Sequence, residues 1–390
     1  MRVALVHDYL KEYGGAERVL EALTEIYPQA PIYTAFYVPD SVAGKAFAGK
    51  KIITSWANWL LQVKNLYSPL RFLTPLIWES FDLRNFDLVI SSASWYITKS
   101  IITKPSTLHL CYCHTPPRWL YGYRTAIEWK KFLPIRVYGQ ILAFFLRKYD
   151  FLAAQRVDEF IANSANTEQR IAKFYRREAT VIYPPVEVKK IMKVTKSLKP
   201  KDYFLVVSRV VGGKGLDLAI EVANRLKINL KIVGEPAGLR WEEGKLRRIK
   251  GGTVEFLGRV SDQELWRLYG ECQALLALAS DEDFGITLVE AMAAGRPVIA
   301  FRGGGYVESV IEGKTGLFFP PATPARSAGG RGNEPTSESL IQAINRFNDI
   351  YQYSIKPADC RGQAEKFSKE RFKREIKEFV GGEYARIARG

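Results

Sequence analysis

Cysteine and histidine are scarce in this chain of 390 residues, which holds four Cys (Cys111, Cys113, Cys272, Cys360) and three His (His7, His109, His114). There is no CxxC pair, and no four ligands fall at a workable spacing, which argues against a zinc site. Few thiols and no disulfide framework fit a reducing compartment. No stretch reaches the ~18 uninterrupted apolar residues of a membrane span. The opening MRVALVHDYL has a short apolar run before Asp8, well below the core of a signal peptide. The expectation is a chain that stays in the cytoplasm. Acidic residues are also in deficit: 41 Asp+Glu against 57 Lys+Arg leave sixteen excess positive charges.

What is present is an ordinary globular share of apolar residues, 47%, with 25% charged, which excludes a wholly disordered chain. The length suggests two or three domains, with ample sequence for packed cores. Aromatic residues are plentiful at 13%. Basic and aromatic together suit either single-stranded nucleic acid or an anionic membrane face, and charge alone does not choose between them.

Short β-branched runs alternate with longer helical patterns, the signature of parallel sheets covered on both faces. In the first half the runs are Val3–Val6, Ile32–Thr34, Leu88–Ser91, Leu108–Tyr112, Glu159–Ala162 and Val181–Tyr183. Pro184-Pro185 and a Lys-rich stretch, KKIMKVTKSLKPKD, then read as an interdomain linker. The pattern restarts with Tyr203–Val207, Leu230–Gly234, Val254–Leu257, Ala274–Leu276 and Pro297–Ala300. Two Rossmann-like domains are expected, over residues 1–185 and 200–367. Residues 368–390 read as a charged helix with Phe372, Ile376 and Phe379 at helical spacing, packing back toward the first domain. Residues 320–337, rich in Pro, Gly, Ala and Ser, read as a mobile surface loop.

In such folds ligands meet the loops after strands. Four of these loops stand out. Gly14-Gly15-Ala16-Glu17 opens a helix after the first run; it is either a plain tight turn or a place where backbone amides meet an anion. Ser208–Gly215 carries Arg209 and Lys214 around a Gly-rich loop, suited to a diphosphate but lacking Walker spacing. Glu282 and Glu290 lie eight residues apart, one in a loop and one in the following helix, and carboxylates at that spacing suit the vicinal hydroxyls of a sugar and a ribose. Asp281-Glu282-Asp283 looks like a metal motif, but no third ligand is evident. His114, followed by Thr115-Pro116-Pro117, either contacts a substrate or is a hydrogen-bonded structural histidine.

Taken together these motifs resemble the retaining glycosyltransferases of family 4, which have the GT-B fold. The most specific part is the EX7E motif, Glu282 through Glu290 within SDEDFGITLVEAMAAGRPVIA; the Arg209/Lys214 pair, the Gly14-Gly15 loop and Gly303-Gly304-Gly305 followed by Glu308 agree with it. HDYLKEYGGAERVL and CYCHTPPRWLYG are similar to O-antigen-type mannosyltransferases that use GDP-mannose. The resemblance implies two Rossmann-like domains facing a central cleft and transfer of a hexosyl group with retained anomeric configuration. It gives Arg209 and Lys214 to the donor diphosphate, Glu290 to the ribose and Glu282 to sugar hydroxyls. Phe284, Gly285 and Ile286 would offer backbone amides. His114 would touch the sugar near its reacting carbon, and Gly14 and Gly15 would let acceptor and diphosphate come close. The acceptor implied is lipid-linked or a polysaccharide precursor, and the resemblance implies no cofactor and no metal, because Arg209 and Lys214 do the work of one.

The positive charge is concentrated: residues 50–150 hold 14 Lys+Arg against 5 Asp+Glu. Within 117–151, ten aromatic residues and seven Lys or Arg accompany Glu128 and Asp150 alone, and Trp56–Trp78 is similarly apolar and basic. Either a helical core with a basic solvent face or an interfacial anchor on an anionic membrane accounts for this mix; the lipid-linked acceptors of the family favour the anchor, on the inner face of the cell membrane. Competing readings are a UDP-sugar donor, a nucleotide-sugar epimerase of the same fold, and a basic RNA-binding protein. The last is disfavoured because no RNP or KH motif accompanies the cations.

Overall fold

The computed structural model describes all residues except 64–65, 124, 126–132, 236–240, 321–333, 352–353 and 388–390. The Gly/Pro-rich segment expected as a surface loop therefore lies largely outside the described residues. The chain divides into two compact units. Among the described residues the first takes Met1–Tyr123, 133–185 and the last segment from Lys369, and the second takes Val186–Ser368.

The first unit is built on seven strands: β1 (Val3–His7), β2 (Ile32–Thr34), β3 (Ile52–Thr54), β4 (Leu88–Ala93), β5 (Leu108–Cys113), β6 (Glu159–Ala162) and β7 (Thr180–Val181). They pair in the order β3-β2-β1-β4-β5-β6-β7, all parallel. Alternation along β1 explains the two-sided burial. Val3 and Leu5 join Leu20, Leu23 and Leu110 on one face, while Ala4 and Val6 join Trp78, Val89 and Tyr96 on the other. The helix Lys369–Ile387 lies on the first of these faces, burying Phe372, Ile376 and Val380 beside the helix Gly15–Ile26. Lys373 pairs with Glu25 of that helix at 2.8 Å.

The second unit has six parallel strands: β8 (Phe204–Val207), β9 (Leu230–Val233), β10 (Val254–Gly258), β11 (Leu275–Ala277), β12 (Val298–Phe301) and β13 (Gly316–Phe319), ordered β10-β9-β8-β11-β12-β13. Both sheets thus share the doubly wound order 3-2-1-4-5-6, extended by one strand in the first, and each reverses direction at one point: between β1 and β4, and between β8 and β11.

One expectation is corrected. The Lys-rich stretch read as a linker forms the helix Val188–Thr195 inside the second unit. Val188, Ile191 and Thr195 recur on one buried face, and the lysines Lys189, Lys190 and Lys193 occupy the rest. The lysine count hid a 3.6-residue apolar period. Strands β3 and β13 were not among the sequence-expected strands.

Phe372 is fully buried in the first unit, so Phe372→Ala is expected to cost roughly 3–5 kcal/mol. Denaturant unfolding checks this; a loss below about 1 kcal/mol would mean that the C-terminal helix contributes little to that unit.

Candidate active site

In a parallel sheet every strand ends on the same edge, so the loops after β8, β11 and β12 lie side by side in the second unit. The loop after β8 carries Arg209 and Lys214 and runs into the helix Leu216–Leu226. The loop after β11 carries Asp281, Glu282 and Asp283 and ends at Gly285, before the helix Ile286–Ala293. These two loops flank the point of reversal. The Lys214 ammonium donates to Glu282 Oε2 at 2.6 Å, and both side chains are partly buried. Arg209 is exposed.

The backbone of the acidic loop is held from its other side by the glycines after β12. Gly305 N–H donates to the Glu282 carbonyl at 2.9 Å. Gly304 adopts φ +55°, and a Cβ there would lie 2.4 Å from that carbonyl oxygen. On the β8 side, Gly215 has φ +70°, and a Cβ would meet Leu278 at 2.7 Å. Glycine is needed at both positions because the loops touch backbone to backbone and the left-handed conformation disfavours other residues.

Glu290 lies at the start of the second turn of its helix and is almost wholly buried. Burying a carboxylate is costly without partners, and Tyr269 OH donates to its Oε2 at 2.9 Å. Tyr269 is a site residue that sequence reasoning missed. Phe284 is buried with its ring 5.4 Å from that of Phe367, so its side chain serves packing. Among the described residues no three His, Cys, Asp or Glu side chains are grouped to hold a metal ion, the Asp281–Asp283 run included.

Gly14, Gly15 and His114 belong to the first unit, at the corresponding edge of its sheet. Gly14 is the residue before the helix Gly15–Ile26, and its N–H donates to Glu17 Oε2 at 2.7 Å. That amide is engaged within the turn itself, which favours the turn reading for Gly14. His114 follows β5 and is buried, with Nε2 2.8 Å from Ser92 Oγ. His7 closes β1, its Nδ1 3.1 Å from the same hydroxyl and its Nε2 3.3 Å from Glu17 Oε1. Burial pushes the Glu17 carboxyl up, but His7, by hydrogen bond and charge, and the amides of Glu17 and Gly14 outweigh it and hold it below its usual value. His7 and Ser92 were not singled out in the sequence, and Glu17 only as the last residue of the Gly14–Glu17 loop; His7 and Ser92 fall at the ends of adjacent strands β1 and β4, in register. The third histidine is apart from this group. Full burial pushes His109 down to about 3, so it stays neutral beside Ser91. All four cysteines are buried, and burial pushes Cys111 and Cys272 up to about 12, which leaves no reactive thiolate there.

The two doubly wound sheets and the helix from the chain end returning to the first unit define a protein of the GT-B fold. A solved structure of Anabaena Alr3699/HepE in complex with UDP-glucose superposes with TM-score 0.70 at 18% identity, covering 98% of this chain and 100% of that one. Sucrose-phosphate synthase from Thermosynechococcus elongatus gives 0.72 at 16%, covering 99% and 100%. These likenesses bear on the fold. Over residues 187–330, within the second unit, the chain matches the family described as glycosyl transferases group 1. It is similar to an uncharacterized glycosyltransferase of Methanocaldococcus jannaschii, 28% identical over 193 residues covering 50% of this chain and 51% of that protein. It is also similar to the alpha-1,3/1,6-mannosyltransferase ALG2 of Dictyostelium discoideum, 25% identical over 295 residues covering 64% and 67%. The matched stretch thus spans about half the length of the first of these relatives and two thirds of the second.

Gly304→Ala is expected to lower stability by roughly 1–2 kcal/mol from the backbone alone, and the collision with Glu282 adds to this. Gly362→Ala, in a helix and with open space at its Cβ, is the control and is expected to hold or raise the melting temperature. Equal melting temperatures for the two variants would contradict the backbone contact.

Proposed function

We propose that this chain is a retaining hexosyltransferase of family 4 that moves a mannosyl group from GDP-mannose to a lipid-linked or polysaccharide-precursor acceptor. The observation that carries the reading is the Lys214–Glu282 pair beside the point of sheet reversal, within the stretch that matches the glycosyl transferase family. Similarity to a mannosyltransferase supports the sugar. The second reading, a UDP-sugar donor, is favoured by the UDP-glucose bound in the HepE structure.

In this reading Arg209 and Lys214 neutralise the diphosphate as it leaves, doing the work of a metal ion. Glu282 accepts hydrogen bonds from hydroxyls of the sugar, and Glu290, oriented by Tyr269, serves the ribose. Backbone amides at Phe284, Gly285 and Ile286 serve the sugar, and His114 and Gly15, in the first unit, serve the sugar and acceptor. The bond from the anomeric carbon to the diphosphate oxygen breaks as the acceptor oxygen bonds to that carbon from the same face. The acceptor proton passes to the departing oxygen, so no protein base is required.

Without donor, Lys214 is paired with Glu282, and a diphosphate competes for the same cation. A partly exposed pair of this kind is worth about 1 kcal/mol or less. Glu282→Gln is therefore expected to tighten GDP binding up to roughly fivefold while transfer falls ~100-fold or more. Lys214→Ala is expected to weaken both. Calorimetric titration and a transfer assay check this, and transfer left intact in both variants sinks the assignment.

The membrane reading gains support from the helix Leu133–Gln155. Its inner face buries Ala143, Leu146, Asp150 and Ala153, with Asp150 held by Lys99 and by Tyr121 OH at 2.7 Å. A solvated helix places polar residues opposite such a stripe. Here the opposite side carries Val137, Ile141, Phe144, Phe145 and Leu152, all exposed, with Lys148 among them, while the exposed Arg136 and Arg147 lie at the edge of the inner face. Trp56 and Trp59, in the same unit, are also exposed. No described helix is long and apolar enough to cross a membrane. An apolar outer face flanked by cations suits an anionic lipid surface, which for this reaction is the inner face of the cell membrane. The chain is expected to sediment with vesicles containing phosphatidylglycerol and not with pure phosphatidylcholine, and Ile141→Glu with Phe145→Glu is expected to abolish binding. Equal recovery of wild type and variant would overturn the surface.

A further inference from the structure

Four polar residues of the first unit, each at most 9% exposed, join their side chains in one line across the ends of its strands. Glu17 meets His7 Nε2, His7 Nδ1 meets Ser92 Oγ, and Ser92 Oγ meets His114 Nε2, at 3.3, 3.1 and 2.8 Å. The sheet builds this line. His7 and Ser92 are register partners on β1 and β4, Ser92 is the partner of Tyr112 on β5, and His114 lies two residues beyond Tyr112. Glu17 is fixed from its other oxygen by Gly14 N–H.

A serine hydroxyl has one proton, so Ser92 donates to one imidazole and accepts from the other. An ionised carboxylate only accepts, so His7 carries its proton on Nε2 toward Glu17. A neutral His7 then offers a lone pair at Nδ1, and Ser92 donates to it. Ser92 in turn accepts from His114, whose proton must sit on Nε2. A doubly protonated His7 reverses this: Ser92 would accept from His7 and donate to His114 Nε2, moving the His114 proton to Nδ1. The other carboxylate near His7, Asp8, is committed to the amides of Ser94, Trp95 and Tyr96 and to the hydroxyls of Ser94 and Thr98.

We infer that Glu17, His7 and Ser92 are positioning residues that hold His114 as its Nε2–H tautomer, so that Nδ1 is a hydrogen-bond acceptor for a sugar hydroxyl. The tautomer follows from the line with His7 neutral; the sugar contact rests on the transferase reading above. Fixing a tautomer through the far nitrogen is a general means of setting what an imidazole does at its working nitrogen.

The test uses the full chain labelled with 15N-histidine at pH 8. Three histidines give assignable imidazole spectra, and substitution of each in turn assigns them. His114 is expected as the Nε2–H tautomer in the wild type. Ser92→Ala is expected to release it to a mixture and to lower kcat about tenfold or more with the donor KM little changed. Ser92→Thr, which keeps the hydroxyl, is expected to restore both. An Nδ1–H tautomer in the wild type, or an unchanged His114 spectrum in a folded Ser92→Ala variant, overturns the inference without any assay of transfer. The expected tautomer in a chain that neither binds nor consumes a nucleotide sugar would leave the line standing and remove the transferase reading.

Discussion

The arrangement of both units depends on parallel strands reversing their winding direction at one place. Crossover helices cover both faces of each sheet, so the remaining opening for chemistry is the edge where strands end. At the reversal the loops diverge to opposite faces, and two of them stand apart with room between. In the second unit these loops bring Lys214 to Glu282. In the first the same constraint sets His7 against Ser92, with Glu17 and His114 on either side. Polar groups can be buried there because strand register fixes each one opposite a partner.

Much of this was legible in the sequence. β-branched runs separated by helical patterns gave the two doubly wound sheets, and most strands fall within a residue or two of the expected runs. The motif around Glu282 and Glu290 and the cations Arg209 and Lys214 fell in loops and helix starts as expected, because each is adjacent to a strong strand in the chain. Reading from strand to following loop finds residues of this kind.

The parts that escaped detection share a physical cause. Ser92 and Tyr269 act through partners distant in sequence and set by sheet register or helix packing, which no local pattern encodes. The glycines at 303–305 were visible as a motif, but their purpose was not: Gly304 and Gly305 approach the Glu282 backbone from a different strand. The helix Val188–Thr195 was misread because its many lysines outweighed three buried positions in a short segment. The helix Leu133–Gln155 is a different case. Its basic and aromatic composition was evident, but which side faced outward was not, and burial shows an apolar stripe on each side of it. Composition alone cannot distinguish a helix buried in a core from one that presents an apolar face to an anionic surface.

The central claim is that the carboxylates and cations at the strand ends serve transfer of a sugar from a nucleotide with its anomeric configuration kept. The most direct measurement is the proton NMR spectrum of the product formed by the full chain from GDP-mannose, followed from the first turnovers. The account predicts an anomeric signal of the same configuration as the donor. An inverted product, or a donor recovered as its epimer, would contradict it.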